Sequence, residues 1–174
     1  MSRPTRYLFV FVLLFFAQGV CGSLFSQSKD YKSYSLFIYN FIKYIEWPDI
    51  NDPFVIGVVG DSPIIKELEQ MAQNKKAKGK QIIIKKLNAP AEASACHLVF
   101  LPGSKSSQLK SLNEVIKGKG ILLVAEREGL AKKGAAISFA TLDDDTLKFE
   151  YNPGVVDQNR LKIPTILAKL GFQI

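Results

Sequence analysis

Four short runs rich in apolar residues recur along the chain, and they restrict its possible folds more than any other feature. The runs occupy residues 54–59, 81–87, 97–101 and 121–125. Apolar runs of this length, such as the one between Pro53 and Gly60, are typical of strands buried on both faces of a sheet. Helical patterns follow the first and third runs, with Leu68 and Leu112 among their apolar positions. The sequence therefore predicts βαβ units and a largely parallel sheet.

The segment 29–45 predicts a helix ahead of these strands. Asn40 and Lys43 are the only polar residues in its second half, and their spacing places them on one narrow stripe. A helix that is apolar around most of its circumference is expected to be buried on several sides. Trp47 and Pro48 end the helix, because the residue before a proline avoids the helical conformation.

The pattern changes after the fourth run. Two alternating segments, 136–142 and 146–151, flank three aspartates and predict a hairpin with one buried face. Short helices are expected to begin at Asn152-Pro153 and at Pro164. The complete order predicts an α/β fold, namely a mixed, mainly parallel central sheet of about six strands with helices on both faces in Rossmann-like layers.

The first 22 residues have the order of a secretory signal peptide. Arg3 and Arg6 form a basic start, an apolar run of 11 residues occupies 7–17, and small residues follow. The run is shorter than the roughly 20 residues of a membrane span, and a membrane anchor stretched to about 14 residues is the alternative. Cleavage is expected after Gly19 or Gly22, and the cut after Gly22 leaves a single exported domain at 23–174 and lowers the formal net charge from +7 to +5.

The single histidine, His97, limits the chemistry that the chain can perform. A multi-histidine metal site cannot be built, and a Ser-His-Asp site would have to use this residue. Cys96 precedes it, but adjacent strand residues point to opposite faces and do not form a catalytic dyad. Cys96 is expected to be a packed thiol. The sequence predicts no enzyme activity, no cofactor and no metal site.

Gly60 and Asp61 follow the first predicted strand, at a position where α/β sheets bind ligands. The GxxGD spacing that begins at Gly57 lacks the GxGxxG fingerprint of dinucleotide sites. The alternative is that Gly60 makes a tight turn and that Asp61 or Ser62 caps the next helix.

Trp47 is the chain's one tryptophan, and Tyr44 and Glu46 lie just before it. Trp47 is expected either to anchor a partner or a small aromatic ligand, or to cover the core where the first helix ends. The candidate contacts for a partner or ligand are Tyr44, Glu46, Trp47, Gly60 and Asp61.

Two charged clusters have plainer interpretations. The basic one consists of Lys75, Lys76, Lys78, Lys80, Lys85 and Lys86. A solvated loop is expected here, and contact with anionic lipid or a polyanion is the alternative. Nucleic acid is not expected, because no aromatic residues are interleaved with the lysines. The aspartates 143–145 lack the EF-hand spacing and predict a hairpin tip rather than a calcium site.

Seven motifs, in this order and spacing, resemble the YfiR-like family of bacterial periplasmic proteins over most of the mature chain. They are YNFIKYIEWP (39–48), VIGVVGDSP (55–63), CHLVFL (96–101), GILLVAE (120–126), GAAISF (134–139), LKFEYN (147–152) and LKIPTILAKL (161–170). Members of that family often hold the cysteine of the CH motif in a disulfide, whereas Cys96 has no partner here once Cys21 leaves with the signal peptide.

The resemblance implies a small periplasmic regulator that has no enzyme activity. Its partner would be the periplasmic domain of a membrane-bound diguanylate cyclase, which it represses by contact, with effects on cyclic-di-GMP and biofilm formation. An outer-membrane lipoprotein would relieve the repression, and the regulator itself would form homodimers. The alternative is a periplasmic small-molecule binding module that serves a sensor histidine kinase or a transporter.

Overall fold

The computed structural model describes residues 30–51 and 53–174, so the predicted signal peptide at 1–22 lies outside the described residues. The helices are α1 (Tyr31–Tyr44), α2 (Ile64–Asn74), α3 (Leu109–Ile116), α4 (Pro153–Gln158) and α5 (Thr165–Ala168). The strands are β1 (Phe54–Val59), β2 (Ile82–Leu87), β3 (Leu98–Leu101), β4 (Leu122–Ala125), β5 (Ile137–Thr141), β6 (Leu147–Tyr151) and β7 (Phe172–Gln173). Short 3₁₀ helices occupy Pro90–Ala95, Gly103–Gln108 and Ala131–Lys133.

The strands form one sheet in the order β2-β1-β3-β4-β5-β6-β7. The pairs from β2 to β5 are parallel, the hairpin of β5 and β6 is antiparallel, and β7 joins β6 in parallel. The predicted α/β class with a mixed, mainly parallel sheet is confirmed. The prediction of about six strands missed β7, which has two residues and no apolar alternation that could reveal it.

Each face of the sheet carries its own apolar core, because successive residues of a strand point to opposite sides. On one face, α1, α2, α4 and α5 pack over residues such as Ile56, Phe100 and Val124. On the other, α3 and the 3₁₀ helix at Pro90–Ala95 pack over residues such as Val99 and Leu123. Helices therefore cover both faces, as the sequence predicts.

Helix α1 is buried on the side that faces the sheet. Tyr34, Ile38 and Phe41 enter the core there, and the Asp30 carboxylate caps the helix by accepting hydrogen bonds from two backbone N–H groups. The expected burial on several sides fails on the outer side, where Leu36 is 61% exposed. In the part of the chain that the structure describes, no helix is long and apolar enough to cross a membrane.

Candidate functional site

Trp47 lies at the amino-terminal edge of the sheet, where it closes the end of the core. Its ring meets Phe54, the first residue of β1, edge to face with centroids 5.5 Å apart. Its indole N–H donates to the carbonyl oxygen of His97 at 3.3 Å, and the side chain stays half-buried. Trp47 therefore covers the core, as one of the two interpretations expects, and its half-buried side chain keeps an edge exposed to solvent, while the anchoring of a partner or ligand stays a prediction.

Tyr44 and Glu46 lie beside Trp47 at the end of α1. Tyr44 is half-buried, and the Lys43 ammonium lies 4.9 Å from the centroid of its ring. The Glu46 side chain is exposed, while its backbone exchanges two hydrogen bonds with Lys162. These contacts fix the backbone and leave the Glu46 carboxylate available at the surface.

His97 has a structural position beneath this edge. Its ring stacks on Phe54 with centroids 4.7 Å apart, and its Nδ1 accepts a hydrogen bond from the Val55 N–H at 3.0 Å. Burial lowers the pKa of His97 from its ordinary value, because it disfavours the charged form of the ring. The neighbouring Cys96 thiol lies in the core on the other side of the sheet, and burial raises its pKa to about 11. The prediction that the two side chains do not form a dyad is confirmed.

Acidification is expected to destabilise the protein through His97. Because the pKa of His97 in the folded protein lies below the ordinary 6.5, the unfolded chain takes up the proton first. The stabilisation from His97 is complete above pH 6.5 and decreases as the pH falls from there towards the lower folded pKa. Urea unfolding between roughly pH 5 and 8 measures this, with His97→Gln as the non-titrating control. A wild-type slope equal to the slope of the variant would contradict it.

Gly60 and Asp61 lie at the opposite, carboxyl-terminal edge of the sheet. Gly60 has a positive φ of 69°, and a Cβ there would lie 2.8 Å from Cε of Lys105. The Asp61 carboxylate pairs with the Lys86 ammonium, and no side chain caps α2. The predicted turn at Gly60 is confirmed, and the predicted cap by Asp61 or Ser62 is wrong because the strand-end lysine binds Asp61.

Gly57, the first glycine of the same motif, is a packing residue. A Cβ at this position would lie 2.7 Å from the Cys96 sulfur and 2.7 Å from a Leu87 methyl carbon. The two glycines of the GxxGD spacing thus serve different purposes. Gly57 allows close packing, and Gly60 allows the turn.

Glu126 is a buried carboxylate that the sequence reasoning missed as a site residue. It follows β4 directly and is 6% exposed. Its Oε1 accepts a hydrogen bond from the Tyr31 hydroxyl at 2.9 Å, and its Oε2 accepts one from the Gly103 backbone N–H. Burial and the adjacent Glu126 raise the pKa of Tyr31 to about 12. An acidic residue that directly follows an apolar run was the only available sequence signal, since its partners come from distant segments.

A cleft of about 430 Å³ opens beside Glu126. Its lining includes Tyr34, Arg127, Glu128 and Phe139 together with the Glu126 carboxylate. The cleft therefore combines charges of both signs with two aromatic rings, whose centroids are 4.4 Å apart. It lies at the carboxyl edge of the parallel strands, which is where α/β sheets bind ligands.

A second concavity, which we call the α1–α2 groove, runs along the outer side of these two helices. It has a volume of about 390 Å³ and an apolar floor formed by Leu36, Tyr39 and Met71. Lys32 and Lys75 stand at its margins. The groove is the place where the exposed apolar side of α1 faces the solvent.

The basic cluster is a loop only in part, because Lys85 and Lys86 lie in β2, whereas the other four lysines lie between α2 and β2. Five of the six lysines are exposed and Lys80 is half-buried. The aspartates form the tip of the β5–β6 hairpin, where the Asp144 carboxylate accepts from the Thr146 N–H at 3.0 Å. Within residues 30–51 and 53–174, no three histidine, cysteine, aspartate or glutamate side chains are grouped so that they could hold a metal ion.

The five predicted contact residues do not form one site. Tyr44, Glu46 and Trp47 lie at the amino edge of the sheet, and Gly60 and Asp61 lie at the carboxyl edge, because β1 separates the two groups. The α1–α2 groove and the Glu126 cleft are two further surface features that could receive a partner or a ligand.

The YfiR/HmsC-like family model matches residues 31–171, and the chain belongs to this family. The family is regulatory rather than catalytic, and membership supports a periplasmic regulator of cyclic-di-GMP signalling in general. No curated protein matches the chain.

Two solved structures are similar to the chain at low sequence identity. A conserved domain protein from Vibrio cholerae O1 biovar El Tor aligns with a TM-score of 0.56 and 10% identity over 83% of this chain and 60% of that one. The ABC domain in complex with L-Trp from Streptococcus pneumoniae aligns with a TM-score of 0.47 and 11% identity over 69% of this chain and 54% of that one. The chain thus spans just over half of the length of both structures, and the Vibrio cholerae structure supports the α/β fold alone.

Proposed function

We propose that the protein acts in the periplasm by protein–protein contact and represses a membrane-bound diguanylate cyclase or a similar receptor. Such repression would influence cyclic-di-GMP signalling and biofilm formation. Membership of a regulatory family supports the proposal at the level of cyclic-di-GMP control. The observation that favours a contact mechanism is Leu36, an apolar residue on the outer side of α1 that remains 61% exposed over the α1–α2 groove.

Repression requires that the regulator bind the inactive form of the receptor more tightly than the active form. A ligand shifts a conformational equilibrium only by its difference in affinity for the two states. The exposed surface of α1 offers apolar contacts at Leu36 and, at the end of the helix, an aromatic edge at Trp47 with the Glu46 carboxylate beside it. The proposed contact surface therefore runs along α1 from the groove to Trp47.

Two further partners belong to the same proposal. An outer-membrane lipoprotein would relieve repression by capturing the regulator, and the regulator would form a homodimer. Size-exclusion chromatography with light scattering tests the dimer, for which a mass of twice the mature chain is expected.

Deletion of the gene in its native host tests the repressor function. Cyclic-di-GMP and surface attachment are expected to rise, because the cyclase loses its inhibitor. A plasmid copy of the gene is expected to return both to the parental level. Unchanged cyclic-di-GMP and attachment in the deletion strain would contradict the repressor function.

The Glu126 cleft favours a second candidate function, a periplasmic small-molecule binding module that serves a sensor kinase or a transporter. Its carboxylate, guanidinium and two aromatic rings are groups that fix the orientation of small polar ligands. A thermal-shift screen of metabolites tests this, because a ligand stabilises the native state by mass action. A metabolite that raises the melting temperature of the wild-type protein but not that of Arg127→Ala would support it.

A further inference from the structure

The α1–α2 groove lies between two helices that run in the same direction. Tyr31, at the start of α1, contacts Glu126 at the carboxyl edge of the sheet, and Trp47, just after α1, lies at the amino edge. Helix α2 begins after Gly60 at the carboxyl edge and leads to β2, which starts at the amino edge. Two adjacent parallel helices with an apolar floor between them form a trough that fits a third helix.

The floor of this groove is apolar, so it favours a partner that has an apolar surface. Leu36 is 61% exposed, and Tyr39 and Met71 lie half-buried beside it. An amphipathic helix bound in such a groove inserts apolar residues spaced at i, i+3 or i+4, and i+7.

The charge around the groove is mainly positive. Lys32 stands at one end and Lys75 at the other, where its ammonium lies 5.5 Å from the centroid of the Tyr39 ring. Lys76 and Lys78 follow as exposed residues beyond the end of α2. Among the described residues Glu67 is the acidic member of the lining, and Asp30 lies two positions before Lys32. A bound helix would therefore need acidic residues flanking its apolar stripe.

We infer that the α1–α2 groove binds an acidic amphipathic α-helix of the protein that this regulator contacts. The inference rests on the proposed function, since it names the surface and the chemistry of the same contact. A second copy of the chain is disfavoured as the occupant, because the chain keeps a formal net charge of +5 without the predicted signal peptide and would bring further positive charge to a basic margin.

Site-specific photo-crosslinking in the native host tests the inference with the full-length protein. The photoreactive residue p-benzoyl-phenylalanine replaces Leu36 in the groove or, as the control, Leu142, which is exposed at the hairpin tip. Illumination of whole cells and mass spectrometry of the crosslinked peptides then identify what occupies the groove. The expected product joins position 36 to a segment of another protein that has a helical apolar stripe and a net negative charge, and position 142 does not yield it.

The charge requirement is tested with the same crosslink. Lys32→Glu combined with Lys75→Glu is expected to lower the yield on the order of tenfold, because like charges then face each other. Lys169→Glu, which exchanges an exposed lysine outside the groove, is expected to leave the yield unchanged. An unchanged yield in the double variant overturns the inference.

Other occupants of the groove also overturn the inference. These outcomes are crosslinks to the chain's own residues before Asp30, to a second copy, to lipid or to a protein segment that is not acidic. The absence of any crosslinked product at position 36 is the last of them. The fate of the repressor proposal is separate. A crosslink to an acidic amphipathic helix of a protein that is neither a cyclase nor a receptor would support the groove inference and contradict the repression of a cyclase. If gene deletion raises cyclic-di-GMP but position 36 crosslinks to no protein, the repressor function is supported and the groove inference is contradicted.

Discussion

Replacing Phe41 by alanine is expected to lower the free energy of unfolding by about 3–5 kcal/mol, because the change opens a cavity in a well-packed core. Phe41 is completely buried on the side of α1 that faces the sheet. Its ring packs edge to face against Phe149 with centroids 5.0 Å apart, and it also meets Phe139 at 6.1 Å. These two phenylalanines are direct partners across the β5–β6 hairpin, so Phe41 joins the first helix to strands that follow it far along the chain.

Urea denaturation monitored by tryptophan fluorescence and circular dichroism measures the loss. Leu36→Ala is the matched control on the same helix, and its effect is expected to stay within about 0.5 kcal/mol because the side chain faces the solvent. Equal effects of the two variants would show that α1 does not pack on the sheet through Phe41.

Replacing Glu126 by alanine is expected to have the second-largest effect on stability. The change removes the acceptor for the Gly103 N–H and for the Tyr31 hydroxyl, and each of these partly buried donors left without a partner costs about 1 kcal/mol. A double-mutant cycle with Tyr31→Phe separates the two contacts. Tyr31→Phe is expected to cost less in the Glu126→Ala background than in the wild type, and strictly additive effects would contradict the hydrogen bond.

The same contact gives Tyr31 an alkaline signature. Burial and Glu126 raise its pKa from 10.0 to about 12, so the unfolded chain loses this proton before the folded protein does. The stabilisation from Tyr31 is complete below pH 10 and is lost as the pH rises towards 12. Stability measured across this range is expected to fall more steeply in the wild type than in Tyr31→Phe, and identical slopes would contradict the assignment.

The sheet was predictable because its strands are apolar on both faces. In β1, β3 and β4 alternate residues enter two different cores, so every position is buried and the sequence shows a continuous apolar run. Helix ends set by local chemistry were also predictable, as at Asn152, whose side chain accepts from the Val155 N–H. Strand β7 was not, because its pairing with β6 depends on the fold rather than on its own two residues.

The sites were less predictable than the fold, since their contacts join distant segments. Nothing near Asp61 in sequence predicts that Lys86 binds it in place of a helix cap. Tyr31 and Glu126 are 95 residues apart, and the packing of α1 on the sheet brings the start of the helix to the end of β4. The exposure of Leu36 was not predictable either, because an apolar helix sequence does not show which side of the helix meets the sheet.

Cyclic-di-GMP in a deletion strain complemented with Leu36→Asp tests the proposed contact surface most directly. The substitution places a carboxylate in the floor of the α1–α2 groove without disturbing the buried side of α1, and Leu142→Asp, at a position 38% exposed, is the control. Periplasmic levels of both variants are matched by immunoblotting. The account predicts that Leu142→Asp restores low cyclic-di-GMP like the wild type, while Leu36→Asp leaves it at the level of the deletion strain. Full restoration by Leu36→Asp would contradict regulation through this surface.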